Sequence, residues 1–173
     1  MIRIYDNVIP QDTLSGIEVF LTEKASWNFI NDDGSRKKWS VGHVRNSSTF
    51  TDIDHYLLRI LAENGCDISF IQRAVSNCFR RLDSTQYHQD PGEISYMFYL
   101  NSEWKRHWGA PTKFKSKKYH LSRKVYPKPG RMVAFSSELF HKGTAPTFLL
   151  PSYVVGRFSI VFQGTADRSF FQP

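Results

Sequence analysis

His88-Gln89-Asp90 sets an imidazole and a carboxylate two residues apart. On an extended segment such residues point to the same side, so both can reach one ion. Alone the motif is weak, because six histidines and 16 acids among 173 residues make an H-x-D/E match close to the chance level. The order of the downstream residues raises it: Tyr99-Leu100-Asn101, then Trp104 and Trp108-Gly109, then Pro129-Gly130-Arg131 leading to Phe135, then His141, then Arg157-Phe158-Ser159. Two imidazoles and one carboxylate on one face of an iron(II) ion leave three positions open, the arrangement that oxygen-activating non-haem iron needs. Zinc accepts the same ligands with an open site, which keeps a hydrolase in view, although Arg157 has no evident role there.

Arg157 stands sixteen residues after His141 and opens the apolar run Phe158, Ile160, Val161 and Phe162. An arginine heading an otherwise buried strand needs an anion, and its planar fork grips a carboxylate bidentately. Ser159, two residues on and therefore on the same side, can add a hydroxyl, and Tyr99 is placed to do so from a neighbouring strand.

This order and spacing resembles the 2-oxoglutarate/iron(II) oxygenase superfamily, and within it the prolyl 4-hydroxylase-like branch. The similarity spans roughly Asn77 to Gly164. The metal-binding H-x-D falls on His88 and Asp90, the distal histidine on His141, and the co-substrate arginine with its following serine on Arg157 and Ser159. Tyr99-Leu100-Asn101-Ser102-Glu103-Trp104 matches the branch's Tyr-Leu-Asn-x-x-Trp segment, and Pro127 to Arg131 its Pro-x-x-Gly-Arg turn. Where a glycine pair is expected, the chain has Gly109-Ala110-Pro111. The resemblance implies a mainly β double-stranded β-helix, or jelly roll, supported by N-terminal helices. It also implies Fe(II), with 2-oxoglutarate and O2 as co-substrates, and admits ascorbate. The implied reaction couples decarboxylation of 2-oxoglutarate to hydroxylation of a C–H bond, with a prolyl residue of a protein or peptide as the first substrate to test.

The elements that must position these residues are legible in outline. Ile2 to Ile9 reads as a strand, Pro10-Gln11-Asp12 as a helix start, and Thr51 or Asp52 as the cap of a second helix running to Gly65. The polar stretch Ile30 to Lys38 reads as a loop. From Ile68 onward the period becomes that of short strands: Ile68 to Ile71 with Ala74-Val75, Ile94 to Leu100, Val125-Tyr126, Met132 to Phe135 and Phe158 to Phe162. With no repeat and no linker, residues 1–173 are expected to form one domain, in which 1–66 supports a β core over 67–165.

No stretch reaches the roughly 18 uninterrupted apolar residues of a membrane span, and no signal-peptide core is present, so a soluble, cytoplasmic protein is expected. Cys66 and Cys78 fit no zinc or disulfide framework and read as buried apolar residues. His43, His55, His107 and His120 lack partners in the sequence and read as ordinary histidines; Trp104 and Trp108 read as core or rim. The net charge of +7 is local: ten lysines and arginines and no acids lie between Trp104 and Ser137. The run Lys113 to Lys124 is expected as a basic loop able to meet an acidic or nucleic-acid-containing partner. That charge favours two alternatives, a nucleic-acid oxygenase or demethylase and a non-catalytic RNA- or protein-binding jelly roll. The absence of a second arginine shortly after Arg157 weighs against the demethylase branch.

Overall fold

The computed structural model describes residues 1–30, 40–42, 48–66, 68–116 and 121–166. After strand β1 (Ile2–Tyr5), the chain turns into helix α1 (Gln11–Val19), which runs on as a π-helical turn over Phe20–Lys24. Leu14, Ile17 and Leu21 recur at helical spacing and form its buried stripe. Two short strands, β2 (Asn28–Ile30) and β3 (Ser40–Gly42), pair antiparallel ahead of helix α2 (Ser48–Glu63). In α2 the stripe is Ile53, Leu57, Ile60 and Leu61.

The β body follows: β4 (Ile68–Phe79), β5 (Ile94–Tyr99), β6 (Thr112–Ser116), β7 (Leu121–Val125), β8 (Met132–Ser136), β9 (Phe140–Gly143) and β10 (Arg157–Ala166). A major sheet has the order β1-β8-β5-β10-β4 and a minor sheet the order β7-β6-β9, with every pairing antiparallel. This is the jelly-roll architecture.

Both faces of the major sheet are covered, so its central strands are buried along nearly their whole length rather than alternating buried with exposed. All six residues of β5 are buried. Ile94, Tyr96 and Phe98, with Phe158, Ile160 and Phe162 of β10, pack against the two helices. Met97, Tyr99, Val133, Phe135 and Val161 face the other way, toward Phe114 and Val125 of the minor sheet. Thus β10 sends Phe158, Ile160 and Phe162 into the helix-side core and Arg157, Ser159, Val161 and Gln163 into the jelly roll.

Several expectations are corrected. The first strand ends at Tyr5, and α2 begins at Ser48, ahead of Thr51. The runs expected at Ile68 to Ile71 and Ala74-Val75 are one twelve-residue strand. The basic run is no loop where it is described: β6 and β7 form an antiparallel pair from Thr112↔Val125 to Ser116↔Leu121. Its dense lysines mask an alternation in which Thr112 and Phe114 are buried and Lys113 and Lys115 are not. Most of the Ile30 to Lys38 segment, His43, Lys117, Lys118 and His120 lie outside the described residues. Cys66 and Cys78 are buried, reduced thiols, and burial pushes the Cys78 thiol up to about 12. Among the described residues no helix is long and apolar enough to cross a membrane.

Candidate functional site

His88 lies in the irregular connection between β4 and β5, and its backbone exchanges both hydrogen bonds with His141 of β9, at 3.0 and 2.9 Å. That bridge sets the two imidazoles side by side, with ring centroids 4.4 Å apart. His88 Nδ1 lies 3.0 Å from the Gln86 carbonyl and His141 Nδ1 3.1 Å from the Leu139 carbonyl. A carbonyl oxygen only accepts, so each Nδ1 donates and Nε2 is the ring nitrogen turned toward Asp90. Those Nε2 atoms stand 3.6 and 3.4 Å from the two oxygens of Asp90. One potential ligand atom from each of the three residues lies within 4.8 Å of the others.

Burial would raise the Asp90 carboxyl, but hydrogen bonding and charge from His141, with Ser95 and His88, outweigh it and hold the group below the usual carboxylate range. The Ser95 hydroxyl donates to Asp90 Oδ2 at 2.6 Å and so aims the carboxylate. Phe135 and Phe114 flank the His141 ring at centroid distances of 4.8 and 5.9 Å, limiting its rotation. Two imidazole Nε2 atoms and a carboxylate converge from one side, as an open-faced metal site requires.

A pocket of about 270 Å³ joins this triad to Arg157, which is only 2% exposed. The Arg157 guanidinium lies 4.1 Å from the Phe79 ring centroid and 5.5 Å from that of Tyr99. Its Nη1 donates to neutral acceptors, the Ala110 carbonyl at 3.2 Å and the Thr112 hydroxyl at 3.3 Å, while Nε has no partner. Burial lowers the guanidinium pKa from its ordinary value, opposed by Tyr99 and Cys78. Ser159 Oγ, on the same pocket wall, is also buried without a partner. An unsatisfied buried polar atom costs on the order of 1–3 kcal/mol. A dicarboxylate long enough to reach from Arg157 and Ser159 to the triad would remove that cost. The donor set fits Fe(II) and a keto-dicarboxylic acid.

Backbone detail near this cation is specialised. Ala110 has φ 54°, a left-handed conformation that non-glycine residues rarely adopt, and its carbonyl serves Arg157. Gly143 follows His141 by two residues, and a Cβ there would fall 2.5 Å from the Phe79 ring on which Arg157 rests.

His88, Asp90, His141, Arg157 and Ser159 all line one pocket. Tyr99 lies behind it, its hydroxyl 2.9 Å from Thr112 Oγ1 and donating to the Val125 carbonyl at 3.3 Å. Its ring, rather than its hydroxyl, faces the guanidinium. Trp104 and Trp108 are buried against each other, with centroids 5.6 Å apart. Sequence reasoning passed over Ser95, Thr112, Ala110, Phe79 and Gln163. Ser95 and Gln163 interrupt apolar strands with polar side chains and were findable; the carbonyl of Ala110 carried no signal.

Outside the pocket, the minor sheet presents lysine. Lys113 is directly opposite Lys124 on one side and Lys142 on the other. The Tyr87 ring receives Lys115 Nζ at 3.9 Å and Lys142 Nζ at 5.0 Å.

A jelly roll with an open-faced His/Asp/His group and a buried arginine in one pocket defines a metal- and keto-acid-dependent class of enzyme. The 2OG-Fe(II) oxygenase superfamily matches residues 76–162, and the chain belongs to that superfamily. A search of curated proteins found no match. Among solved structures, a Pseudomonas putida prolyl-4-hydroxylase is similar with TM-score 0.64 and 15% identity, covering 94% of this chain and 92% of that one. A Trichoplax adhaerens prolyl hydroxylase, in complex with a hypoxia inducible factor oxygen degradation domain peptide fragment, gives TM-score 0.65 at 13% identity, covering 93% and 81%. A Burkholderia pseudomallei 2OG-Fe(II) oxygenase family oxidoreductase gives 0.65 at 14%, covering 93% and 82%. These likenesses establish the fold. The superfamily implies Fe(II), 2-oxoglutarate and O2.

Proposed function

We propose that this protein hydroxylates a C–H bond of a prolyl residue in a protein or peptide, acting as one domain over residues 1–173. His88, Asp90 and His141 hold Fe(II), while Arg157 and Ser159 hold the distal carboxylate of 2-oxoglutarate. Tyr99 supports the arginine with its ring and positions Thr112 with its hydroxyl. The observation that carries the reading is a nearly fully buried arginine whose Nε lacks a partner, in the same pocket as the His/Asp/His group. Two structurally similar proteins are prolyl hydroxylases, one solved with a peptide, which makes peptidyl proline the substrate class to test first.

When bound, Fe(II) and 2-oxoglutarate together reduce dioxygen, delivering one oxygen atom to the C–H bond and the other to succinate, with loss of CO2. The protein contributes orientation and shelter. The carbonyls of Gln86 and Leu139 fix the imidazole tautomers, Ser95 aims Asp90, and Phe114, Phe135 and Phe79 keep water from the reacting atoms.

Anaerobic addition of Fe(II) and then 2-oxoglutarate should produce the visible charge-transfer band of a keto-acid chelate. His88→Ala should abolish the band, and Arg157→Ala should raise the 2-oxoglutarate concentration needed for it by about tenfold or more. Iron binding without the band would overturn the oxygenase assignment of these residues. Succinate release stimulated by a proline-containing peptide tests the substrate class.

A further inference from the structure

Four side chains of β10 line the pocket in sequence: Arg157, Ser159, Val161 and Gln163. Across the strand pair they face Phe79, Asn77, Val75 and Arg73 of β4. Six residues of strand separate Arg157 from Gln163, about 20 Å of backbone, so the two mark opposite ends of one wall. Gln163 is also directly opposite Ser95 of β5, the residue whose hydroxyl donates to Asp90. The carboxamide therefore belongs to the metal end of the pocket, where a keto acid anchored on Arg157 brings only acceptor oxygens.

Gln163 is 5% exposed, and its Oε1 has no hydrogen-bond partner. A buried acceptor without a partner is costly unless something satisfies it. Its oxygen is an acceptor only, so the missing partner is a donor.

We infer that Gln163 is a specificity-determining residue whose Oε1 accepts an N–H from the primary substrate, so that the pocket selects a peptide carrying a backbone amide beside the oxidised carbon. This rests on the proposed oxygenase reading and deepens it. Peptidyl proline has no N–H of its own, so the donor is the amide of the adjoining residue. Val161 and Val75, the next cross-strand pair along that wall, give the carboxamide apolar neighbours on which ring carbons can rest.

The test compares three decapeptides as probes: a Pro-Ala repeat, decaproline, which has no internal N–H, and a Gly-Ala repeat, which has amides and no proline. Succinate release is measured with the iron-loaded full chain and with Gln163→Met, which keeps length and removes the acceptor, and Gln163→Glu, which keeps an acceptor oxygen. The keto-acid charge-transfer band verifies that each variant is folded and loaded. The parent should prefer the Pro-Ala repeat over decaproline in kcat/KM by about tenfold or more, the usual consequence of leaving a buried acceptor unpaired. The preference should fall below about twofold in Gln163→Met and return in Gln163→Glu. An equal preference in parent and Gln163→Met, or none in the parent, overturns the inference. Gln163-dependent turnover of the Gly-Ala repeat alone would remove proline from the proposed function and leave the amide selection standing. A loaded enzyme that turns over no peptide overturns the amide selection while the band still upholds the oxygenase reading.

Discussion

Gly143 illustrates how much of the site depends on what a residue lacks. It follows His141 by two positions, and the Phe79 ring occupies the space where its Cβ would be, 2.5 Å away. Phe79 in turn is the platform under Arg157. Gly143→Ala must push the ring, and with it the guanidinium, while leaving all three proposed metal ligands unchanged. The expected outcome is a rise of about tenfold in the 2-oxoglutarate KM with metal affinity preserved, since small displacements of a positioning group are amplified in rate. Parallel titrations of iron and of 2-oxoglutarate decide it; an equal loss of both would mean that the substitution unfolds the site. The candidate ligands could be read from the sequence because their identities and order are one-dimensional facts. The roles of Gly143, Phe79 and the Ala110 carbonyl could not, because each acts through a neighbour distant in sequence.

At the scale of elements, two charge clusters act on the strands with opposite sign. Asp6, just after β1, receives Arg131 Nε at 2.6 Å and Nη2 at 3.0 Å, with Lys128 Nζ at 3.1 Å. The Arg131 hydrogen bonds lower its carboxyl from an ordinary 3.8 to about 2. The fold thus favours the ionised form. That stability is complete above the unfolded value and is lost as pH falls through the folded one. Asp6→Asn should therefore be less stable than the parent at neutral pH, with the gap closing as pH falls from 3.8 to about 2; urea unfolding across that range measures it. The minor sheet shows the opposite situation, since Lys113 lies between Lys124 and Lys142 and like charges directly opposite destabilise a sheet. Lys113→Glu converts both pairs into attractive ones and should raise stability by about 1 kcal/mol at low salt, a gain that added salt erodes. No change in Tm at low ionic strength would mean that the pairs are already relieved, for example by the Tyr87 ring that Lys115 and Lys142 share.

For the whole molecule, the consequence is a shell that encloses unsatisfied polar groups. Arg157 Nε, Ser159 Oγ and Gln163 Oε1 are buried along one wall of the pocket without partners, next to a group of three potential metal ligands. Ligands that satisfy these groups bind the native state alone and stabilise it by mass action, by about 2.7 kcal/mol at a hundredfold excess over Kd. Melting the protein with the redox-silent ion Mn(II), with 2-oxoglutarate, and with both should show a larger rise for the pair than the sum of the separate rises. Strictly additive shifts would place the two ligands in independent sites.

By itself the sequence determined a β-rich body behind two helices and nominated His88, Asp90, His141 and Arg157 as candidates; the jelly roll was what the family resemblance implied. Residue type, order and period-two patterning are local properties, and the chemistry of an open metal site restricts which types serve. Tertiary structure decided the remainder. The His88–His141 bridge lies outside any long strand, β6 carries two lysines in five residues and β9 is only four residues long, so periodicity did not locate these elements, and although the apolar run of β5 was legible its pairing was not. Pairing alone brought Ser95 to Asp90, Thr112 to Arg157 and Gln163 to the metal end of the pocket, because hydrogen bonds and buried contacts between strands far apart in the chain are fixed only when the sheets close.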